Sequence, residues 1–186
     1  MNLKTINKNT SFSAIFFIIG TIALMTGCLS VKNSSANSGM NLFETFFVGD
    51  DGIQYFIKPL TFMDDNKNRL ILDITFRYKD KIKDSASVNI SFINSEIIRD
   101  IDSLKLSNNT VSIVSKNFKY LFSERMKSEF NSRYTTKSPL LDIYRLFDNE
   151  NWNVIVYTKN KQTQYYTPEN TKKKIIKLKY GIFMLF

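Results

Sequence analysis

From Arg69 to Tyr78 the chain alternates without a break, with Leu70, Leu72, Ile74, Phe76 and Tyr78 on one parity and Arg69, Asp73, Thr75 and Arg77, together with Ile71, on the other. Side chains of a strand point to opposite faces at every second residue. This period therefore specifies a strand with one apolar face and excludes a helix, whose apolar positions recur every three to four residues. The pattern returns at Ala86, Val88, Ile90 and Phe92, separated by Ser87, Asn89 and Ser91, after a charged turn over residues 79–85. Upstream, residues 53–62 read as a third strand behind the turn Asp50-Asp51-Gly52, and Pro59, which has no N–H to donate, predicts an edge position or a bulge there. Short polar connections such as Asp64-Asp65-Asn66-Lys67-Asn68 make an antiparallel meander the economical arrangement.

Further on, residues 97–106 and 111–120 read as two more strands around the polar tip Ser107-Asn108-Asn109. The period then changes. Ser123 is placed to cap a short helix carrying Met126, Phe130 and Tyr134 at four-residue spacing, with Glu124 in its first turn. Ser138-Pro139 opens a second helix with Leu140, Leu141, Tyr144 and Phe147 on one side. Trp152, Val154, Val156 and Thr158 mark a strand, residues 162–166 another, and Thr167-Pro168-Glu169 starts a C-terminal helix with Ile175, Leu178, Ile182 and Leu185 at helical spacing. Strands first and helices late predict an α+β fold. The expected architecture is a mainly antiparallel β-sheet or two-layer β-sandwich, with short helices in the C-terminal half and a C-terminal helix.

The N-terminus has a different organisation. Lys4 and Lys8 are followed by an uncharged apolar run from Ser13 to Met25, and Met25, Thr26 and Gly27 precede Cys28, the single cysteine. A basic start, an apolar stretch and small residues before a processing site are the three parts of a secretory signal. This segment resembles the signal peptides of bacterial lipoproteins, although Met25 stands where Leu, Val or Ile is more usual. The resemblance covers residues 1–28 only. It implies cleavage before Cys28 and acylation of that cysteine. An uncleaved anchor helix is the rival reading, but Gly20, Thr21, Thr26 and Gly27 interrupt a run already shorter than the roughly 20 apolar residues a span needs. The expected organisation is a signal peptide over residues 1–27, an acylated cysteine with a Ser- and Asn-rich tether over residues 28–41, and one mature domain over residues 42–186.

Removal of the first 27 of 186 residues would leave 159, the size of one ordinary domain, and would lower the formal charge from +9 to +7 by loss of Lys4 and Lys8. With Cys28 acylated, no disulfide is available, so the domain must be held by packing of its 16 Phe, 9 Tyr and aliphatic side chains. The chain has no histidine, which removes the commonest general base and imidazole metal ligand, and it has no glycine-rich phosphate loop. Asp64, Asn66 and Asn68 alternate like the opening ligands of a calcium loop, but the glycine and glutamate that complete that motif are missing.

Two clusters suggest binding. Lys172, Lys173, Lys174, Lys177 and Lys179 line a C-terminal helix whose other side is apolar, a pattern suited either to an anionic surface or to a solvated face over a packed one. Trp152, Tyr55, Tyr157, Tyr165 and Tyr166 are candidates for a glycan-stacking platform, although aromatics in strands are more often core or cross-strand partners. The expectation is a non-catalytic, cofactor-free, lipid-anchored binding or assembly component of the bacterial envelope with an envelope protein as partner. The location is outer membrane facing the periplasm if the host is Gram-negative, and nucleic acid is not expected as a partner. A glycan- or anionic-lipid-binding module is the second reading and an envelope hydrolase the third. The sheet edge near Pro59 and residues 123–148 are the candidate partner faces.

Overall fold

The computed structural model describes residues 42–78, 85–159 and 161–185. Met25, Thr26, Gly27 and Cys28, the tether, and the charged turn at residues 79–84 lie outside the described residues. The described chain forms ten strands: β1 (Phe43–Phe47), β2 (Ile53–Met63), β3 (Arg69–Tyr78), β4 (Ser85–Asn94), β5 (Ser103–Ser107), β6 (Ser112–Ser115), β7 (Lys119–Met126), β8 (Glu129–Pro139), β9 (Asn153–Thr158) and β10 (Lys161–Tyr166). Helix α1 (Leu140–Leu146) lies between β8 and β9, and α2 (Glu169–Gly181) follows β10. The architecture is thus α+β and mainly antiparallel β, with a helix at the C-terminal end, as the alternation and the late helical spacing predict.

Every recorded strand pair is antiparallel, in the order β6-β5-β9-β10-β2-β3-β4-β8-β7, with β1 added on β2. Between β10 and β2 only Tyr166 and Met63 pair, and there the sheet folds over on itself. Val154 and Val156 of β9, Leu104 and Leu106 of β5, and Tyr165 of β10 then meet the buried faces of β2, β3 and β4 in one core. Ring contacts bridge the two layers, Phe92 to Tyr165 at 6.4 Å and Phe62 to Trp152 at 6.0 Å between centroids. On the opposite side the free end of the first layer returns to the second, where the Ser115 and Ser138 hydroxyls lie 3.1 Å apart.

Pro59 sits in a bulge, where the β2–β3 register shifts between Ile57 and Leu60. The flank of β2 beside it is not an open edge, contrary to the expectation. β1 covers β2 as far as Ile57, β10 meets it at Met63, and α2 fills the interval. There the Thr171 hydroxyl donates to the Thr61 carbonyl at 2.7 Å and Lys174 reaches the Pro59 carbonyl at 3.4 Å.

The helix expected from Ser123 is instead a hairpin. Ser123 lies within β7, Met126 pairs with Glu129, and Phe130 and Tyr134 belong to β8. Lys127, at φ 57°, makes the turn. Four-residue spacing across a tight hairpin had imitated a helical stripe. Residues 97–102 carry no strand; β8 side chains hold them, with Ser132 Oγ accepting from the Ile98 N–H and the Tyr134 hydroxyl donating to the Ile98 carbonyl. The strand expected over residues 111–120 breaks around Asn117, at φ 43°. Helix α1 buries Leu140, Ile143 and Leu146, leaving Leu141 exposed, and Pro139 ends β8 rather than occupying the first helical turn.

Two outcomes test this description. Lys127→Gly relieves a left-handed backbone position that costs an L residue about 1–2 kcal/mol, so urea denaturation should show a gain of roughly 0.5–1 kcal/mol. A helix interior at that position would instead lose about as much. Burial pushes the Tyr165 hydroxyl up to about 12 from an ordinary 10.0. Between those two values the unfolded chain releases the proton and the folded chain keeps it, so stability falls as pH rises through that window. In Tyr165→Phe the fall between pH 10 and pH 12 should be smaller by up to about 2 kcal/mol.

Candidate binding surfaces

Helix α2 buries Thr171, Ile175 and Leu178, followed by Ile182 and Phe183, and this side seats the helix on the sheet. The five lysines divide by what they touch. Lys172 pairs with Glu169 one turn earlier, and that hydrogen bond holds the Glu169 carboxyl below its usual range. Lys174 is bound to Pro59, and Lys179 donates to the Asp148 carbonyl at 3.1 Å with the Asp148 carboxylate 3.7 Å away. Lys174 and Lys179 fasten the helix to the fold, whereas the Lys172 pair lies within the helix. Lys173 and Lys177 point outward and share their exposed face, by helical spacing, with Ile176 and Tyr180; exposed Met184 follows just beyond the helix. The chain joins the domain next to this helix. Leu42 accepts a backbone hydrogen bond from Lys58 at 2.9 Å, and the Phe43 ring lies 3.5 Å from where a β-carbon on Gly181 would stand.

The aromatic side chains do not form a stacking platform. Trp152, Tyr165 and Tyr55 are core residues, Tyr157 is half-buried, and Tyr166, 47% exposed, is the most open of the five. Tyr166 borders a depression of about 360 Å³ with Gln164, Thr167 and Lys172. A second depression, of about 490 Å³, crosses the solvent face of β2, β3 and β4 between Gln54, Phe56, Thr75, Arg77, Ser87 and Lys137. Its chemistry is internally engaged: Arg77 Nε donates to Gln54 Oε1 at 2.8 Å, and Gln54 Nε2 donates to the Phe76 carbonyl at 2.9 Å. On the same face Arg133 pairs with Asp73 and donates to Ser91 Oγ at 2.7 Å.

The aspartates of the two Asp-rich segments lie in turns. Asp64 Oδ1 accepts from the backbone N–H groups of Asn66 and Asn68, and Oδ2 from the Asn68 amide, an Asx turn in the segment that resembles a calcium loop in sequence. Asp50 and Asp51 lie in a single 3₁₀ turn closed by Gly52, at φ 85°. Among the described residues no three metal-capable side chains converge, and no helix is long and apolar enough to cross a membrane.

The candidate face at residues 123–148 includes the second half of β7, but as a helix; the sequence reading missed that β7 is a strand with an open outer edge running from Lys119 to Met126. This strand ends the long sheet path, and among the described residues no strand pairs with its second side. Tyr120, Leu121, Phe122 and Met126 are 41–48% exposed along it, a concentration of large apolar side chains on a strand exposed along nearly its whole length. The edge is firmly based. Tyr134 holds it from below, with its ring against Tyr120 at 5.4 Å and Phe92 at 6.1 Å, and burial pushes its hydroxyl up to about 12. Ser123 donates to Ser132 Oγ at 3.0 Å, the Asn131 amide donates to Glu124 at 3.0 Å, and Glu129 binds Arg69 of β3 at 2.7 Å. An apolar edge on a fixed hairpin offers backbone donors and acceptors to another strand. The alternation of β8, with Ser132, Thr136 and Ser138 inward, was the available signal, but polar side chains on both faces concealed it. No protein-family model, curated protein or solved structure matches this chain.

Proposed function

We propose that this chain is a lipid-anchored component of the bacterial envelope that works by binding rather than by catalysis, with acylated Cys28 as the anchor and the β7 edge as the surface offered to a protein partner. The observation that carries the reading is the exposed apolar edge of β7 on a hairpin fixed by Tyr134 and Arg69. Envelope location rests on the basic start, the apolar run and the box Met25-Thr26-Gly27-Cys28. Two or more acyl chains hold a protein persistently on a bilayer, and a tether of about a dozen residues spans on average roughly 20 Å, which keeps the domain near the membrane. Cys28→Ala should abolish incorporation of labelled fatty acid and release the protein from the membrane fraction. Labelling that persists in the variant would sink the anchor.

A second reading is supported by where the chain joins the domain. The Phe43 ring lies against the end of α2 at Gly181, so a lipid-borne tether would arrive beside the face carrying Lys173, Ile176, Lys177 and Tyr180. Lysines among apolar and aromatic side chains suit an anionic headgroup layer, at about 1 kcal/mol for each cation near the surface. In vesicles carrying the acylated full chain, amide exchange in residues 173–184 should slow with anionic lipid relative to neutral lipid. High salt or Lys173→Glu with Lys177→Glu should reverse the effect. Equal exchange in both lipids would exclude headgroup contact through α2.

A further inference from the structure

We infer that the strand the β7 edge accepts is β7 of a second copy of this chain, joined antiparallel about a two-fold axis that passes between Leu121 and Phe122. The inference rests on the reading of β7 as the contact surface and adds the identity and register of what covers it.

The bulge in β7 makes the edge self-complementary. β7 pairs with β8 as Lys119↔Thr135 and Tyr120↔Tyr134, then as Phe122↔Arg133, Ser123↔Ser132 and Glu124↔Asn131, which leaves Leu121 as an extra residue. Directly opposed residues share a face, and on β8 the buried side chains are Ser132 and Tyr134. Tyr120 and Ser123 therefore lie on the core side, and Lys119, Phe122 and Glu124 on the solvent side. Without the extra residue, Lys119 and Glu124, five positions apart, would face opposite ways.

A two-fold antiparallel pairing must also oppose residues of the same face. With the axis between Leu121 and Phe122, Lys119 meets Glu124 on the solvent side twice, Tyr120 meets Ser123 on the core side twice, and Leu121 meets Phe122 at the centre. Moving the axis onto Phe122 sets core-side Tyr120 against solvent-side Glu124, and moving it onto Leu121 sets Lys119 against Ser123, also on opposite faces. The matched register has apolar side chains at its centre and opposite charges outside them, the arrangement of a specific interface. It is isologous, as a closed dimer requires, and joins two sheets into one. Attachment of both copies to one membrane raises their effective concentration for each other.

The test places the photo-crosslinker p-benzoylphenylalanine at Phe122 in the full chain in intact cells. An adduct of twice the chain's mass that yields only this chain's peptides is expected. An adduct to a different protein would overturn the second copy while keeping β7 as a contact surface. No adduct from folded, membrane-located protein would overturn both. Lys119→Glu alone, or Glu124→Lys alone, sets like charges against each other at both symmetric positions and should lower the dimer adduct about tenfold. The double variant restores both pairs and should recover the yield to within about twofold. Single variants with undiminished adduct, or a double variant no better than either, would overturn the proposal.

Discussion

Pro59 prevents β2 from pairing in one uninterrupted ladder, and much of the domain is arranged around that constraint. The residue has no N–H, and the bulge it occupies shifts the β3 register between Ile57 and Leu60. On its other flank β2 is therefore divided: β1 takes the stretch to Ile57, β10 touches only at Met63, and the sheet folds over where this pairing is thinnest. The interval would expose unpaired backbone groups beside the core. Helix α2 closes it, with the Thr171 hydroxyl on the Thr61 carbonyl and Lys174 on the Pro59 carbonyl. One proline thus bears on where the layers meet, where the last helix rests, and which side of the domain receives the incoming chain.

The parts legible in the sequence are those where one physical signal dominates. β3 was readable to its ends because an apolar residue on one parity and a mostly polar one on the other leave no competing period. α2 was readable because Ile175, Leu178 and Ile182 keep helical spacing behind a proline start. β7 and β8 were not. Their inward positions include Ser123, Ser132, Thr136 and Ser138, so the buried face carries hydroxyls instead of an apolar stripe, and the remaining large side chains fall four apart by the geometry of the turn. Residues 97–102 were misread for a related reason: Ile98 and Ile101 do pack on the core, but Ser132 and Tyr134 hold the segment without a strand ladder.

The aromatic side chains show why the candidate site was harder to read than the fold. A domain without a disulfide must bridge its layers by side-chain packing, and Phe62, Phe92, Trp152 and Tyr165 do so here. Trp152 also donates to the Asn149 carbonyl at 2.8 Å, which orients the indole as a structural element. The lysines divide in the same way: Lys172, Lys174 and Lys179 are partnered within the fold, and only Lys173 and Lys177 contribute to an outward surface. Composition does not distinguish these two uses of one residue type. The partner each side chain finds in the fold does.

The two outward surfaces are separated by the sheet itself. α2 rests on the flank of β2, and β7 lies four strand steps away through β3, β4 and β8, about 19 Å at the usual interstrand spacing. Contact of Lys173 and Lys177 with a headgroup layer would therefore leave the β7 edge uncovered. Under the proposed reading, a lipid-borne tether entering beside Phe43 would bring the α2 side toward the lipid and leave β7 free to meet neighbouring molecules. Under that reading attachment and association would make separate demands on the domain, one on α2 and the other on β7.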